Sequence, residues 1–247
     1  MNLIILAAGV GSRLFPLTKN KPKSLIDLGD GTTLLERQIQ NAIHCDIIDN
    51  IYIVTGYRSK QIEDKIIEFK DKINIQVIFN PFYESSNNLF SLWCAHFVME
   101  ERDFLISNGD NIYQDNVYNN IHHLSSNTIS ITIDYKEKYD EDDMKVILED
   151  GTVKQVSKMI EMDKVDAESV GLAIIKGKQN RKIFKNKLAS LVRDITNKDK
   201  FWLEIFNALA HDNQTIGTYT IDPKDWGEID FHPDIENIRN AISKELF

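Results

Sequence analysis

The sequence predicts an α/β protein: a mostly parallel, Rossmann-like sheet flanked by helices, with a smaller β-rich lobe in its second half. Three observations carry that expectation. Apolar runs such as Leu3-Ile4-Ile5-Leu6 and Ile51-Tyr52-Ile53-Val54 alternate with stretches of helical periodicity through the first half. Strands that are apolar at every position belong to parallel sheets covered on both faces. Beyond about residue 125 the pattern becomes β-rich, with short runs closing on the hairpin signal Asp150-Gly151. One domain over 1–247 is expected, its core at about 1–125 and its lobe and closing helix at about 126–247.

Taken in order, Leu3–Leu6 is a buried strand that ends in the small residues of Ala7-Ala8-Gly9-Val10-Gly11. Leu34-Leu35, Ile39 and Ala42-Ile43 recur at helical spacing, and Ile51–Val54 is a strand closed by Gly56. Ser59 is a plausible N-cap for a helix presenting Ile62, Ile66 and Phe69. A strand at Ile75–Phe79 is followed by a helix over Asn88–Met99 with Leu89, Leu92, Trp93 and Phe97 inward. Phe104-Leu105-Ile106 is the next strand. In the second half, Ile129–Ile133, Met144–Leu148, Thr152–Val156, Ser169–Ile175 and Ile216–Ile221 read as strands, and Lys178–Ile195 as a helix. Pro233 opens a final helix with Ile235, Ile238, Ile242 and Leu246 on one face.

The 247 residues are 42% hydrophobic and 27% charged, ordinary for a globular protein. A net charge of −9 argues against binding nucleic acid, which usually demands a basic surplus. It does not argue against a nucleotide, because Arg13, Lys19, Lys21 and Lys23 set the local field. No apolar stretch reaches membrane-spanning length, and no secretory leader pattern opens the chain. Cys45 and Cys94 fit no metal or redox spacing, so a cytoplasmic protein is expected. His122-His123 lack a third ligand at useful spacing. No feature of the sequence sets an oligomeric state.

The opening stretch holds the chemistry. A strand ending in Gly9, Gly11 and Arg13 brings bare backbone N–H groups and a guanidinium fork against an anion, and Lys23 after Pro22 adds a restrained cation. The dinucleotide fingerprint fails, because its third glycine is Leu14, and no Gly-Lys-Ser/Thr is present. Leu6-Ala7-Ala8-Gly9-Val10-Gly11-Ser12-Arg13, followed by Lys21-Pro22-Lys23, resembles the signature of nucleotidyltransferases that join a nucleoside monophosphate to a phosphorylated small molecule. The resemblance runs nearly the full length. Asn80 to Leu92 departs from the Q-x-x-P-x-G-L-A of the sugar-1-phosphate thymidylyl- and uridylyltransferases. It is instead similar to bacterial phosphocholine-type cytidylyltransferases acting on non-sugar acceptors.

That resemblance implies a Mg²⁺-dependent enzyme joining CTP to a small phosphorylated acceptor such as phosphocholine or phosphoglutamine, for decorating surface polysaccharide. It implies Leu6, Ala7, Ala8, Gly9, Gly11, Arg13, Tyr83, Ser86, Asn87, Asn88 and Gly109 at the nucleotide, and Lys23, Arg13 and Asp110 as catalytic groups. Asp110 and Asp230 are the expected metal ligands, with Glu228 on the same face as Asp230 by strand alternation. Read from spacing alone, Asp110 has a turn-capping role as its alternative, and Asp230 an acidic lead into a helix. For the acceptor, the expected residues are Lys145 on the phosphate and Trp202, Glu204 and Trp226, with Tyr135 and Tyr219, around a quaternary ammonium. A carboxylate-bearing acceptor would instead call on Arg193 or a lysine. Two other readings stand beside this one: a sugar-1-phosphate enzyme using UTP or dTTP, and a non-catalytic nucleotide-binding subunit.

Overall fold

A computed structural model describes residues 1–244. The first strand, β1 (Asn2–Ala7), is buried along its whole length. Its residues alternate between two cores: Ile4 and Leu6 point to one face of the sheet, Leu3, Ile5 and Ala7 to the other. This is the physical meaning of an unbroken apolar run: both faces of the strand are covered.

Helix α1 (Leu34–Ile43) opens with a capping box in which Thr33 and Glu36 satisfy each other's backbone N–H groups. Then come β2 (Asn50–Thr55), α2 (Ser59–Lys65), β3 (Asn74–Phe79) and α3 (Asn88–Cys94). Strands β4 (Phe104–Asn108) and β5 (Asn111–Tyr113) flank Gly109-Asp110 and lead into α4 (Asp115–Asn119). The second half supplies β6 (Thr128–Asp134), β7 (Lys145–Glu149), β8 (Thr152–Ser157), β9 (Ala167–Lys176), α5 (Lys178–Arg193), α6 (Glu204–His211), β10 (Gly217–Thr220), β11 (Trp226–Glu228) and α7 (His232–Ile242).

The main sheet runs β10-β6-β9-β4-β1-β2-β3. Its β1, β2, β3 and β4 are parallel, β6 and β10 are parallel to each other, and β9 is antiparallel to β4 and β6. The β-rich second half thus extends the sheet of the first, with the β7–β8 hairpin joined to it through β9. A separate two-stranded sheet pairs β11 with β5. Because β9 runs against β4 and β6, its first residues lie at the edge where β1, β4 and β6 end. Helices α3, α5 and α6 cover one face, α1, α2 and α4 the other, and α7 packs Ile235 and Ile238 on Leu14, Ile26, Leu28 and Ile229.

Three expectations are corrected. The α3 helix stops at Cys94 and continues as a 3₁₀ turn over His96–Met99, which turns Phe97 outward to 55% exposure while Val98 and Met99 go inward. Ser59 is the first residue of α2, with left-handed Arg58 before it, and its hydroxyl bonds Glu63 and Thr55 instead of capping. Lys178–Ile195 is helical to Arg193. Leu246 lies outside the described residues. Among the described residues no helix is long and apolar enough to cross a membrane.

Candidate active site

The carboxyl ends of β1 and β4 open into a cavity of about 1090 Å³. From β1 the chain passes through Ala8 and Gly9 to Gly11, which has φ of 67° and carries Arg13 into the following 3₁₀ turn. Gly9 has no atom within 4 Å of where a side chain would begin, so its backbone is open to a ligand. Gly11 is different: a Cβ there would stand 2.9 Å from Cβ of Lys23. Gly109 is required by close packing too, since its Cβ would lie 2.6 Å from the Leu6 carbonyl oxygen.

Lys23 Nζ donates to Asp110 Oδ2 at 2.8 Å and to Asp230 Oδ1 at 2.6 Å. Arg13 donates to Asp230 Oδ2 at 2.7 Å and to Asp142 Oδ2 at 2.9 Å, and Lys158 Nζ donates to Asp142 Oδ1 at 2.8 Å. Burial alone would lower the Lys23 pKa; Asp110 and Asp230 outweigh it and hold the ammonium above its ordinary value. The Lys158 hydrogen bond, with Arg13 beside it, keeps the Asp142 carboxyl below the usual range against its desolvation.

Carboxylate oxygens of Asp110, Glu228 and Asp230 lie within 4.8 Å of one another. Desolvation, then the Asp110 and Asp230 charges, push the Glu228 carboxyl up to about 8, with Lys23 pulling the other way. Three hard oxygen donors this close suit a divalent cation of the Mg²⁺ or Ca²⁺ type. The bridging Lys23 ammonium shows that the place between Asp110 and Asp230 accepts positive charge.

Residues 2–242 match the family model described as nucleotidyl transferase. The chain belongs to the nucleotidyl transferase family. The CTP:phosphoglutamine cytidylyltransferase of Campylobacter jejuni is 28% identical to it over 96% of this chain and 98% of its own length. The choline-phosphate cytidylyltransferase of Streptococcus pneumoniae is 36% identical over 49% of each chain, so the alignment spans about half of that relative. The solved structure of the CTP:phosphocholine cytidylyltransferase from S. pneumoniae superposes with a TM-score of 0.78 over 98% of both chains at 22% identity, a likeness of fold.

In this nucleotidyl transferase the cavity wall includes most residues the sequence singles out. Leu6, Ala7, Ala8, Gly9, Gly11, Arg13, Lys23, Tyr83, Ser86, Asn87, Asn88, Gly109, Asp110, Trp202, Trp226, Glu228 and Asp230 all line it. Asn87 accepts from Asn88 N as the cap of α3 and donates to the Asp199 carbonyl, while Asn88 accepts from Trp202 N. These amides therefore tie α3 to the 198–202 segment as well as facing the cavity.

Four acceptor candidates, Lys145, Glu204, Tyr135 and Tyr219, stand off the wall. Lys145 is 2% exposed and its ammonium donates to the carbonyls of Glu141 and Lys158, so it props the cavity wall from behind. Glu204 accepts from Asn207 and lies 3.7 Å from Lys200, away from the lining. Arg193 ends α5. His122 and His123 are exposed.

Lys136, Lys158, Asn108 and Glu168, which sequence reasoning missed, do line the cavity. Only Glu168 left a signal: a carboxylate two residues ahead of the apolar run Val170–Ile175 is costly unless something nearby needs it.

Proposed function

We propose that this nucleotidyl transferase is a Mg²⁺-dependent cytidylyltransferase that joins CTP to a small phosphorylated acceptor, giving a CDP-linked product and pyrophosphate. The observation that carries it is the cluster of Lys23 and Arg13 on Asp110 and Asp230, beside the glycine loop in one cavity. The full-length likeness to a phosphoglutamine enzyme and the partial likeness to choline-phosphate enzymes support CTP and a non-sugar acceptor. A cytoplasmic place supplying activated groups for surface polysaccharide belongs to the same reading.

An acceptor phosphate oxygen attacks the α-phosphorus of CTP, the bond from that phosphorus to the bridging oxygen breaks, and pyrophosphate leaves. An acceptor phosphate is ionised near neutral pH, so no base is needed. Asp110 and Asp230, with Glu228 beside them, would hold Mg²⁺, which supplies charge neutralisation on the triphosphate. Lys23 stabilises charge developing at the α-phosphate, and Arg13 with the loop amides of Gly9 to Gly11 binds the outer phosphates. The acceptor phosphate falls to Lys158, a cation on the wall bound to Asp142 beside Arg13, in place of the enclosed Lys145.

The test is pyrophosphate release with Mg²⁺ across CTP, UTP, dTTP, GTP and ATP against phosphorylated alcohols, amides and hexose-1-phosphates. CTP-dependent release with a non-sugar acceptor, reduced about 100-fold or more in Lys23→Ala, is expected. Release only with a hexose-1-phosphate and UTP or dTTP would overturn the substrate assignment. Tight nucleotide binding without release from any pair would make the chain a binding subunit.

A further inference from the structure

One charged group on the cavity wall has no role in nucleotide binding as described. Glu168 is the second residue of β9, 3% exposed, in a strand that is otherwise apolar or small along most of its length. Its Oε2 lies 2.6 Å from Lys136 Nζ, which also donates to Asp143 Oδ1 at 3.2 Å. The other Asp143 oxygen accepts from Asp140 N at 2.8 Å. Among the described residues Glu168 Oε1 is buried and no donor reaches it, and its carboxyl stands against that of Asp143.

The charges here do not balance. Two carboxylates share one ammonium, and Lys145, the register partner of Glu168, spends its ammonium on two carbonyls. A buried carboxylate oxygen without a donor is costly, and the cost is relieved by a ligand that brings an N–H and a positive charge. Burial, opposed by Lys136 and reinforced by Asp143, raises the Glu168 carboxyl to about 7, so the pair retains a proton near neutrality. A ligand ammonium can take the place of that proton.

Position favours the acceptor as that ligand. Asp142 is bound to Lys158 and Arg13, the cations at the phosphate side, while Asp143, the next residue, is bound to Lys136 beside Glu168. Lys158 and Glu168 line the same cavity, so an acceptor with its phosphate at Lys158 shares that space with Glu168. Of the aromatics that would cage a quaternary ammonium, Tyr135 and Tyr219 are off the wall and Trp202 is 1% exposed; Trp226 lines the cavity with its Nε1 donating to Asp134, and one ring does not make a cage.

We propose that Glu168, with Asp143, selects the acceptor, and that it takes a phosphorylated molecule whose far end carries a protonated amine with N–H bonds to donate, in preference to a quaternary ammonium or an uncharged sugar. This rests on the nucleotidyl-transfer reading of the same cavity.

Phosphoethanolamine and phosphocholine differ only in the three N-methyl groups, so they isolate the N–H. The experiment is steady-state pyrophosphate release with CTP and Mg²⁺ for both, for wild type and Glu168→Gln, with CTP affinity measured separately by calorimetry. The expected result is a kcat/KM at least tenfold higher for phosphoethanolamine in the wild type. Glu168→Gln raises its KM about tenfold or more and the phosphocholine KM by less, with CTP affinity kept within twofold. A merely structural role would move CTP affinity and both acceptors together, and that outcome overturns the proposal. So does a wild type that turns over phosphocholine or a hexose-1-phosphate as well as phosphoethanolamine. If Glu168→Gln does not fold, Asp143→Asn carries the same comparison. CTP-dependent release with phosphocholine preferred refutes acceptor selection alone, whereas release from no acceptor refutes the parent reading and this one with it.

Discussion

Gly11 and Lys23 form one unit at the residue scale. The glycine sits at φ of 67°, and any Cβ on it would meet Cβ of Lys23 at 2.9 Å. Gly11→Ala therefore carries two costs: about 1–2 kcal/mol of left-handed backbone strain, and displacement of the lysine from Asp110 and Asp230. Denaturant melts should show that loss of stability, and kcat/KM should fall at least tenfold; an alanine variant of wild-type activity would separate the two residues. Glu168 makes a second residue-scale prediction. Its carboxyl is raised from 4.5 to about 7, so the folded chain binds this proton more tightly than the unfolded chain does. Its contribution to stability is greatest below about pH 4.5 and is lost as pH rises through 7. Unfolding free energy measured at pH 5 and pH 8 should fall more in the wild type than in Glu168→Gln, by an amount on the order of 2 kcal/mol. Equal slopes would mean that Glu168 titrates normally. Gly11, Arg13 and Lys23 were legible in the sequence because one local motif carries all three. Lys158 and Lys136 were not, because no local motif carries them and their partners come from the loop before β7 and from β9.

At the scale of elements, the β7–β8 hairpin shows where local sequence suffices. Asp150 and Gly151 have φ of 50° and 74°, the two-residue turn their identities demand. That turn sets the pairing of β7 with β8, and Lys158 follows directly on the end of β8. Gly151 has open space where a Cβ would go, so Gly151→Ala isolates conformational cost from packing. A loss of about 1 kcal/mol is expected, read as a lower denaturant midpoint at unchanged m. A larger loss, or a changed m, would show that the turn does more than close the hairpin. Helix α3 marks the limit of such reading. Residues three apart lie on one side of both an α-helix and a 3₁₀ helix, so periodicity could not reveal the change at Ala95 that turns Phe97 out. The direction of β9 was hidden for a related reason. An apolar run states that a strand is covered on both faces, not which way it runs, yet it is the antiparallel β9 that delivers Glu168 to the cavity.

Across the whole molecule, the site exists because the sheet gathers distant residues: Lys23 and Asp230 meet across 207 positions of sequence, Arg13 and Asp142 across 129. Asp230 reaches Lys23 just past β11, which pairs with β5 next to Asp110, so both carboxylates are set by one small ribbon. The ammonium they share neutralises charge that would otherwise collect on Asp110, Glu228 and Asp230 in a chain already at −9. It also competes with any divalent cation for the same oxygens. On the proposed reading a triphosphate would relieve that competition by taking up Lys23 and Arg13, so nucleotide and metal should favour each other's binding. The competition can be measured without nucleotide. Removing the ammonium with Lys23→Met should let Mg²⁺ bind the three carboxylates at least tenfold more tightly than in the wild type, by calorimetry in the absence of CTP, while abolishing turnover. That pairing of tighter metal with lost activity follows only if Lys23 occupies the metal's place until the phosphates arrive; weaker or unchanged Mg²⁺ affinity in the variant would mean that the cation binds elsewhere.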